Sequence, residues 1–393
     1  MNGNRTINDI YVEGIIDIGA DTLTVNGSIV VVDSISIGTG VLVANGVLDN
    51  NGSISIATGT LDANSSFDGT NGTITFTDDG NLNLASTVIS FGDLTSDNGT
   101  VTYDGTDQSV LGDWYYNLVI GGSSGTKTLD GNVNVYSGGD FTVNTGVTCA
   151  VGTRLLTVSG SIYISGNITI STGTIDAVTY SSGNFDATDG FIIFTGDGNL
   201  NLHSTVTSLG TLSSDNGTVT YLGTDQDIFG DTYNNLIIGG STGTKMLGGN
   251  VFVNSDFTVN VGVTTAVGAN TLTITDSTDI NGTITISSGT IDANGDFDAT
   301  DGFITFTGDG NLALSSTVTT LGTLSNDIGT VTYDGVDQTI RQDAYYNLII
   351  SGSSGTKTLN NTTSVNNNFT VNEGATFFDG TNRPFTVNGS SDI

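Results

Sequence analysis

The sequence predicts an all-β protein, a parallel β-helix or β-solenoid rod built from about three internal repeats. Three observations carry that prediction. Apolar residues alternate with polar ones over three to six positions, as in "GTVTY", "GTITFT" and "NITIST", which is the period of a half-buried strand. Asn-Gly, Asp-Gly, Gly-Asn and Ser-Gly pairs separate these segments, and such pairs are turn formers. Finally, long stretches recur, and recurrence at a fixed interval points to stacked supersecondary units.

Taken in order, residues 1–61 read as a partial amino-terminal repeat, 62–175 as repeat 1, 176–291 as repeat 2, and 292–393 as repeat 3 with a partial copy at its end. "GTVTYDGTDQSVLGDWYYNLVIGGSSGTKTL" from Gly99 returns from Gly217 and again from Gly329, at offsets of 118 and 112 residues. Upstream, "FDGTNGTITFTDDGNLNL" from Phe67 returns at the same offsets from Phe185 and Phe297. The second copy carries extra residues in "DAVTYSSGNFD", expected at a loop tip. About fifteen strands are expected per copy. Three strands per coil and a ~4.8 Å rise give coils of roughly 20 to 24 residues, about seventeen coils and a rod of roughly 80 Å. An immunoglobulin-like sandwich needs longer strands and linkers between domains, and no amphipathic helix pattern is present.

Composition narrows the function classes. The chain has 393 residues, 56 Gly, a single Pro and only 12% charged residues. The formal charge of -33 comes almost wholly from aspartate, since Glu13 and Glu373 are the only glutamates. Such a field repels nucleic acid and anionic membrane surfaces and attracts divalent cations. Val, Ile, Thr, Tyr and Phe are too abundant for a disordered chain. Cys149 is the only cysteine, so no intrachain disulfide forms. The opening "MNGNRTINDIYVEG" lacks a signal-peptide pattern, which is expected of a mature form or an interior piece, and no apolar run approaches the ~20 residues that span a bilayer.

The pattern "GTVTYDG…YYNL…GSSGTKTL" resembles repeats of large secreted bacterial surface proteins, the adhesin-like β-solenoids in the style of filamentous haemagglutinin and autotransporter passengers. The resemblance covers most of the chain. It implies an exported, cell-surface, non-enzymatic protein, and it brings no catalytic residues.

The residues give the same expectation. His203 is the only histidine; its counterparts are Ala85 and Ser315, so no triad rests on it. Cys149 answers to Thr265 and reads as a small packed residue. A lyase acting on acidic sugars needs basic residues, and the chain has seven. No catalytic residue is therefore named, and no cofactor is required. The one candidate ligand set is for calcium: Asp186, Asp189 and Asp197, echoed by Asp298, Asp301 and Asp309. Carboxylates beside Gly turns supply the oxygen ligands Ca²⁺ takes, but Asp at these places also closes turns by itself, and neither the EF-hand nor the nonapeptide spacing is present. Lys127, Lys245 and Lys357, the only lysines, read as outward turn residues that tolerate alanine, against a lysine–acid crosslink as the exotic reading. Tyr115, Tyr233 and Tyr345 with Asn117, Asn235 and Asn347 read as corner aromatics and an asparagine ladder, and Leu118, Leu236 and Leu348 as interior. Asn-Gly-Thr sequons such as that at Asn98 permit glycosylation without indicating it.

The expected function is a structural extracellular protein, a subunit of a surface filament, sheath or stalk assembled end to end. The alternative is an adhesin stalk or carbohydrate-binding surface module in a longer chain. The expected partners are copies of the same chain, with surface glycans second. Neither end reads as a polar cap, and both ends read as the same phase of the repeat, so self-assembly is expected through Tyr11 and Val12 at one end and Val371 and Val387 at the other.

Overall fold

The alternation dictates the architecture. In "TLTV", Thr22–Val25, Leu23 and Val25 are buried while the threonines are half-exposed, and the same in–out pattern recurs in "SISI", "NLNL" and "TVTY". A strand of four residues buries only two side chains, too few to stand alone, so each one stacks on its equivalent one turn later. The computed structural model describes residues 3–95, 98–178, 183–380 and 383–393. Those residues form strands of two to five residues and no helix, and they pair in parallel, neighbours within a sheet being three strands apart in the chain. The fold is a β-solenoid with three strands per turn and about 19 turns. That is more turns than expected, because some are shorter: Thr100 pairs with Asn117, only 17 residues on.

The contacts divide the chain into two compact units, residues 1–200 with 207–211, and residues 201–206 with 212–393. In the first unit, one wall runs through Arg5–Ile7, Thr22–Val25, Val41–Ala44, Thr60–Ala63, Asn81–Leu84, Thr100–Tyr103 and Asn117–Ile120 without interruption. Its interior column is Leu23, Leu42, Leu61, Leu82, Val101 and Leu118, in register and all 2% exposed or less. The other two walls end at Val88–Ser90 and Asp93–Thr95, and new sheets start at Gln108–Val110 and Trp114–Tyr115.

The second unit shows the same interruption. Two of its sheets begin at Gln226–Ile228 and Thr232–Tyr233; two end at Val318–Thr320 and Thr323–Leu324; two more begin at Gln338–Ile340 and Ala344–Tyr345. Asn347–Ile350 belongs to the sheet that Thr232–Tyr233 starts, whereas its sequence counterpart Asn235–Ile238 belongs to the sheet that ends at Val318–Thr320. Equivalent residues of successive copies thus occupy different walls, because the strand number of a copy is not a multiple of three. Asn235 and Asn347, expected to stand in an asparagine ladder, therefore do not stack on one another. A true asparagine ladder exists elsewhere, where Asn45 donates to Asn26 and Asn64 to Asn45, each at 3.1 Å.

Leu118, Leu236 and Leu348 are 0% exposed, as expected. The lysines are a correction. Lys127, Lys245 and Lys357 are also 0% exposed: in "TKTL" the inward position set by Leu129 makes Lys127 inward too. Charge argued for the outside, but strand geometry decides, since positions two apart share a face. The extra residues 179–182 of the second copy lie outside the described residues.

Candidate functional site

The residues that recur in the sequence gather at the sheet interruptions. Where new sheets start after the interruption, a glutamine side chain ties the first new strand to the turn before it. The Gln108 amide donates to the carbonyls of Leu84 at 2.8 Å and Ser86 at 2.5 Å and accepts from Gly105 N at 3.1 Å. Gln226 and Gln338 repeat these three bonds. A buried primary amide in this setting has its donors and acceptor spent on backbone groups.

The same turn holds a buried tyrosine pair. The Tyr103 and Tyr115 hydroxyls meet at 3.1 Å, Tyr115 donates to Leu111 O at 2.8 Å, and Tyr103 accepts from Leu111 N at 3.1 Å. Tyr221 with Tyr233, and Tyr333 with Tyr345, are arranged the same way. All six are 0% exposed. Burial pushes the tyrosine hydroxyls upward, Tyr333 to about 12, so none supplies a phenolate at neutral pH.

The lysine completes the cluster. By register, Gln108, Lys127 and Cys149 form one inward column, as do Gln226, Lys245 and Thr265. Each ammonium turns back into the loop before it, donating to Ser124 O at 3.0 Å, Thr242 O at 3.1 Å or Ser354 O at 3.2 Å. The loop wraps closely: Gly125 has φ +90°, and a Cβ there would sit 1.6 Å from Thr106 O, so only glycine fits. Burial lowers the lysine pKa values, opposed by Asp104 and Asp107, by Asp225, and by Asp334 and Asp337. Leu222 stands in the second copy where the others have Asp104 and Asp334. What the three lysines share is the bond to a loop carbonyl and a nearby aspartate, Asp107, Asp225 or Asp337.

Asn117 donates to Gly99 O at 3.2 Å and accepts from Asp140 N at 2.9 Å, tying three successive turns together. Asn235 and Asn347 donate likewise to Gly217 O and Gly329 O. Outside the interruption, a recess of about 480 Å³ is bordered by Thr87, Asp107, Ser109 and Thr128 in the first unit. One of about 410 Å³ is bordered by Thr205, Asp225, Asp227 and Met246 in the second. Ser109 gives way to Asp227 and Thr128 to Met246, so the recess recurs with the fold while its chemistry changes.

The six aspartates considered for calcium are not assembled. Among the described residues no group of three or more metal-ligating side chains is placed to hold an ion. Asp186 accepts from Thr188 N at 3.0 Å and Thr188 Oγ1 at 2.6 Å, and Asp298 does the same with Thr300 at 2.9 and 2.6 Å, which is turn closure. In the first copy the same bonds from Thr70 hold the Asp68 carboxyl below the usual range. Asp189, Asp197, Asp301 and Asp309 are exposed. Cys149 is fully buried, and burial pushes its thiol up to about 12, the opposite of what a nucleophile needs. His203 is half-exposed.

At the ends of the chain, Val12 packs inside at 2% exposure while Tyr11 is 62% and Ile15 77% exposed. Val371 and Val387 are half-buried. Phe369, Phe377 and Phe385 contact one another with ring centroids 4.8 to 5.2 Å apart, beside a recess of about 300 Å³ that Phe378, Val387 and Ile393 also line. Sequence reasoning did not find the tyrosine pairs, because their partners lie in different strands. The recurrence of Tyr103, Tyr221 and Tyr333 in "GTVTY" was the available signal.

Comparison with protein-family models, with curated proteins and with solved structures finds no match.

Proposed function

We propose that this chain is a structural extracellular protein, a β-solenoid subunit of a surface filament, sheath or stalk, in which copies stack end to end. The observation that carries the reading is the fate of the recurring side chains. Gln108, Lys127, the Tyr103–Tyr115 pair and their counterparts spend their hydrogen-bonding groups on the wall's own backbone and on each other. Repetition here serves the wall. The acidic, Thr- and Asn-rich exterior and the resemblance to secreted surface solenoids support the extracellular setting.

Stacking is supported by the apolar cluster of Phe369, Phe377 and Phe385. Phe377 sits over Lys357 and Phe385 over Thr363, in positions that are closed in inner turns, yet both are only half-buried. A strand edge with unpaired backbone groups invites another strand, and a heterologous contact between copies propagates. A second copy presenting Tyr11 and Ile15 is the proposed occupant. The test is electron microscopy and sedimentation of the protein against V371K/V387K. Filaments from the former and dispersed, β-sheet-rich particles from the latter are expected. Particles that stay dispersed in the unsubstituted protein at high concentration overturn the proposal. The charge of -33 on each copy opposes association, so filaments should lengthen as salt rises.

A second reading, a surface module that binds glycans, is favoured by one exposed aromatic pair.

A further inference from the structure

One wall of the first unit carries a feature that the other copies lack. Trp114, the only tryptophan of the protein, is 51% exposed, and Tyr136 beside it is 40% exposed. Their ring centroids are 5.1 Å apart with the planes at 33°, so the two rings stack in an offset, tilted pair that stays half-exposed on the outside of the wall.

The fold does not demand these rings. Trp114 N donates to the Asp113 carboxylate at 2.8 Å; Thr232 and Ala344, its counterparts, donate to Asp231 at 2.7 Å and Asp343 at 2.8 Å. Tyr136 N donates to Tyr115 O at 2.9 Å; Asn254 and Asn366 donate to Tyr233 O at 2.9 Å and Tyr345 O at 2.8 Å. The backbone is thus held the same way whether the side chains are Trp and Tyr, Thr and Asn, or Ala and Asn. In the latter two copies the asparagine amide also ties down an earlier loop, bonding Ser214 O at 3.0 Å and Asn326 O at 3.3 Å. At Tyr136 that wall-building amide has been replaced by an exposed ring.

We infer that Trp114 and Tyr136 form a docking platform for a neutral glycan, stacking against the C–H face of a pyranose ring. Rings only 5.1 Å apart leave no room for a compact cation between them, whereas the half-exposed indole outside the pair suits the C–H face of a sugar. The surroundings fit hydroxyl donors. Asn134 is the register partner of Trp114 on the next turn. The corner next to the indole carries the Asp113 and Asp130 carboxylates, the latter accepting from Gly112 N at 3.0 Å. Carboxylates and an amide accept from or bridge sugar hydroxyls, and with the charge of -33 they repel uronate or sulfated chains. The inference rests on the second reading above.

A sole tryptophan makes the site report on itself. The emission of Trp114 is titrated with β-1,4-gluco-, β-1,3-gluco- and β-1,4-mannohexaose, with oligogalacturonate and tetramethylammonium in parallel, and isothermal calorimetry is run on the same samples. Saturable quenching with at least one neutral hexaose is expected, with about a tenfold weaker affinity in Y136N and no heat of binding in W114T; both variants import residues that the other copies already carry. No response to any neutral hexaose, equal affinity in Y136N, or a response confined to tetramethylammonium or oligogalacturonate each overturns the inference. The assay reads dispersed V371K/V387K protein, so failure of the filament proposal and failure of the platform are separate results.

Discussion

Replacing Lys127 by alanine tests the part of the wall that sequence reasoning misjudged. Lys127 is 0% exposed and its Nζ lies 3.0 Å from Ser124 O. Alanine removes the buried butyl chain, leaves a void between Gln108 and Cys149 in the column, and strips the donor from the loop carbonyl. Truncating a buried aliphatic chain costs about 2–5 kcal/mol, and losing a charge-assisted bond costs about 1.5–3 kcal/mol. Relief from the desolvation of a buried charge offsets much of the second figure. We expect a net loss of about 3 kcal/mol for K127A. For K127M, which keeps the chain and loses only the ammonium, we expect about 1 kcal/mol. A repeat protein of this length opens in parts, so the assay is native-state hydrogen exchange over residues 125–129. At 1.36 kcal/mol per decade, 3 kcal/mol corresponds to roughly a hundredfold faster exchange in K127A. If K127A exchanges like the unsubstituted protein while K127M exchanges much faster, the chain's packing is irrelevant and the enclosed-lysine account fails.

Leu348→Asp, and equally Leu118→Asp or Leu236→Asp, buries an unpaired carboxylate in an apolar column; loss of the folded turns around it is expected, seen as a collapsed far-ultraviolet β signal or insoluble protein. The six buried tyrosines have pKa values raised by burial. Their contribution is complete below the unfolded value of about 10 and is lost as pH rises from there through the folded values, so Tm should fall steeply above about pH 10 and less steeply in Y103F/Y115F. Asp113, Asp231 and Asp343 are raised by burial as well; the folded state holds their protons more tightly than the unfolded chain, so these groups add stability as pH falls from neutral toward about 4, and D113N should flatten that rise. Removing calcium with a chelator should leave Tm unchanged, since Asp186 and Asp298 are engaged with Thr188 and Thr300; a drop of several degrees would restore the calcium reading.

Much of this protein was legible in its residues because a strand's period of two is a purely local rule. "TLTV" announces that Leu23 and Val25 face inward and the threonines outward, and no distant contact is needed to know it. The Gly- and Asn-rich corners say where each short strand stops, and strands that bury two side chains apiece have few stable arrangements other than a stacked coil. The same local rule, applied without regard to charge, would have put Lys127 inside with Leu129. What it lacked was the Ser124 carbonyl and the neighbouring Asp104 and Asp107 that make such a burial tolerable, and these come together only once the loop around Gly125 has closed.

Other features depended on the number of strands between equivalent points, which only the closed turns define. Because that number is not a multiple of three, Asn235–Ile238 and Asn347–Ile350 fall on different walls, and a ladder drawn along the repeat cannot exist. The pairing of Tyr103 with Tyr115, the bonds of Gln108 to the Leu84 and Ser86 carbonyls, and the stacking of Trp114 on Tyr136 each join a side chain to a group from another part of the chain. Sequence determined which way each residue faces, since that follows from the backbone of a single strand. Tertiary structure decided which inward residues meet and which outward ones form a surface, since that follows from how many residues each turn takes to come round.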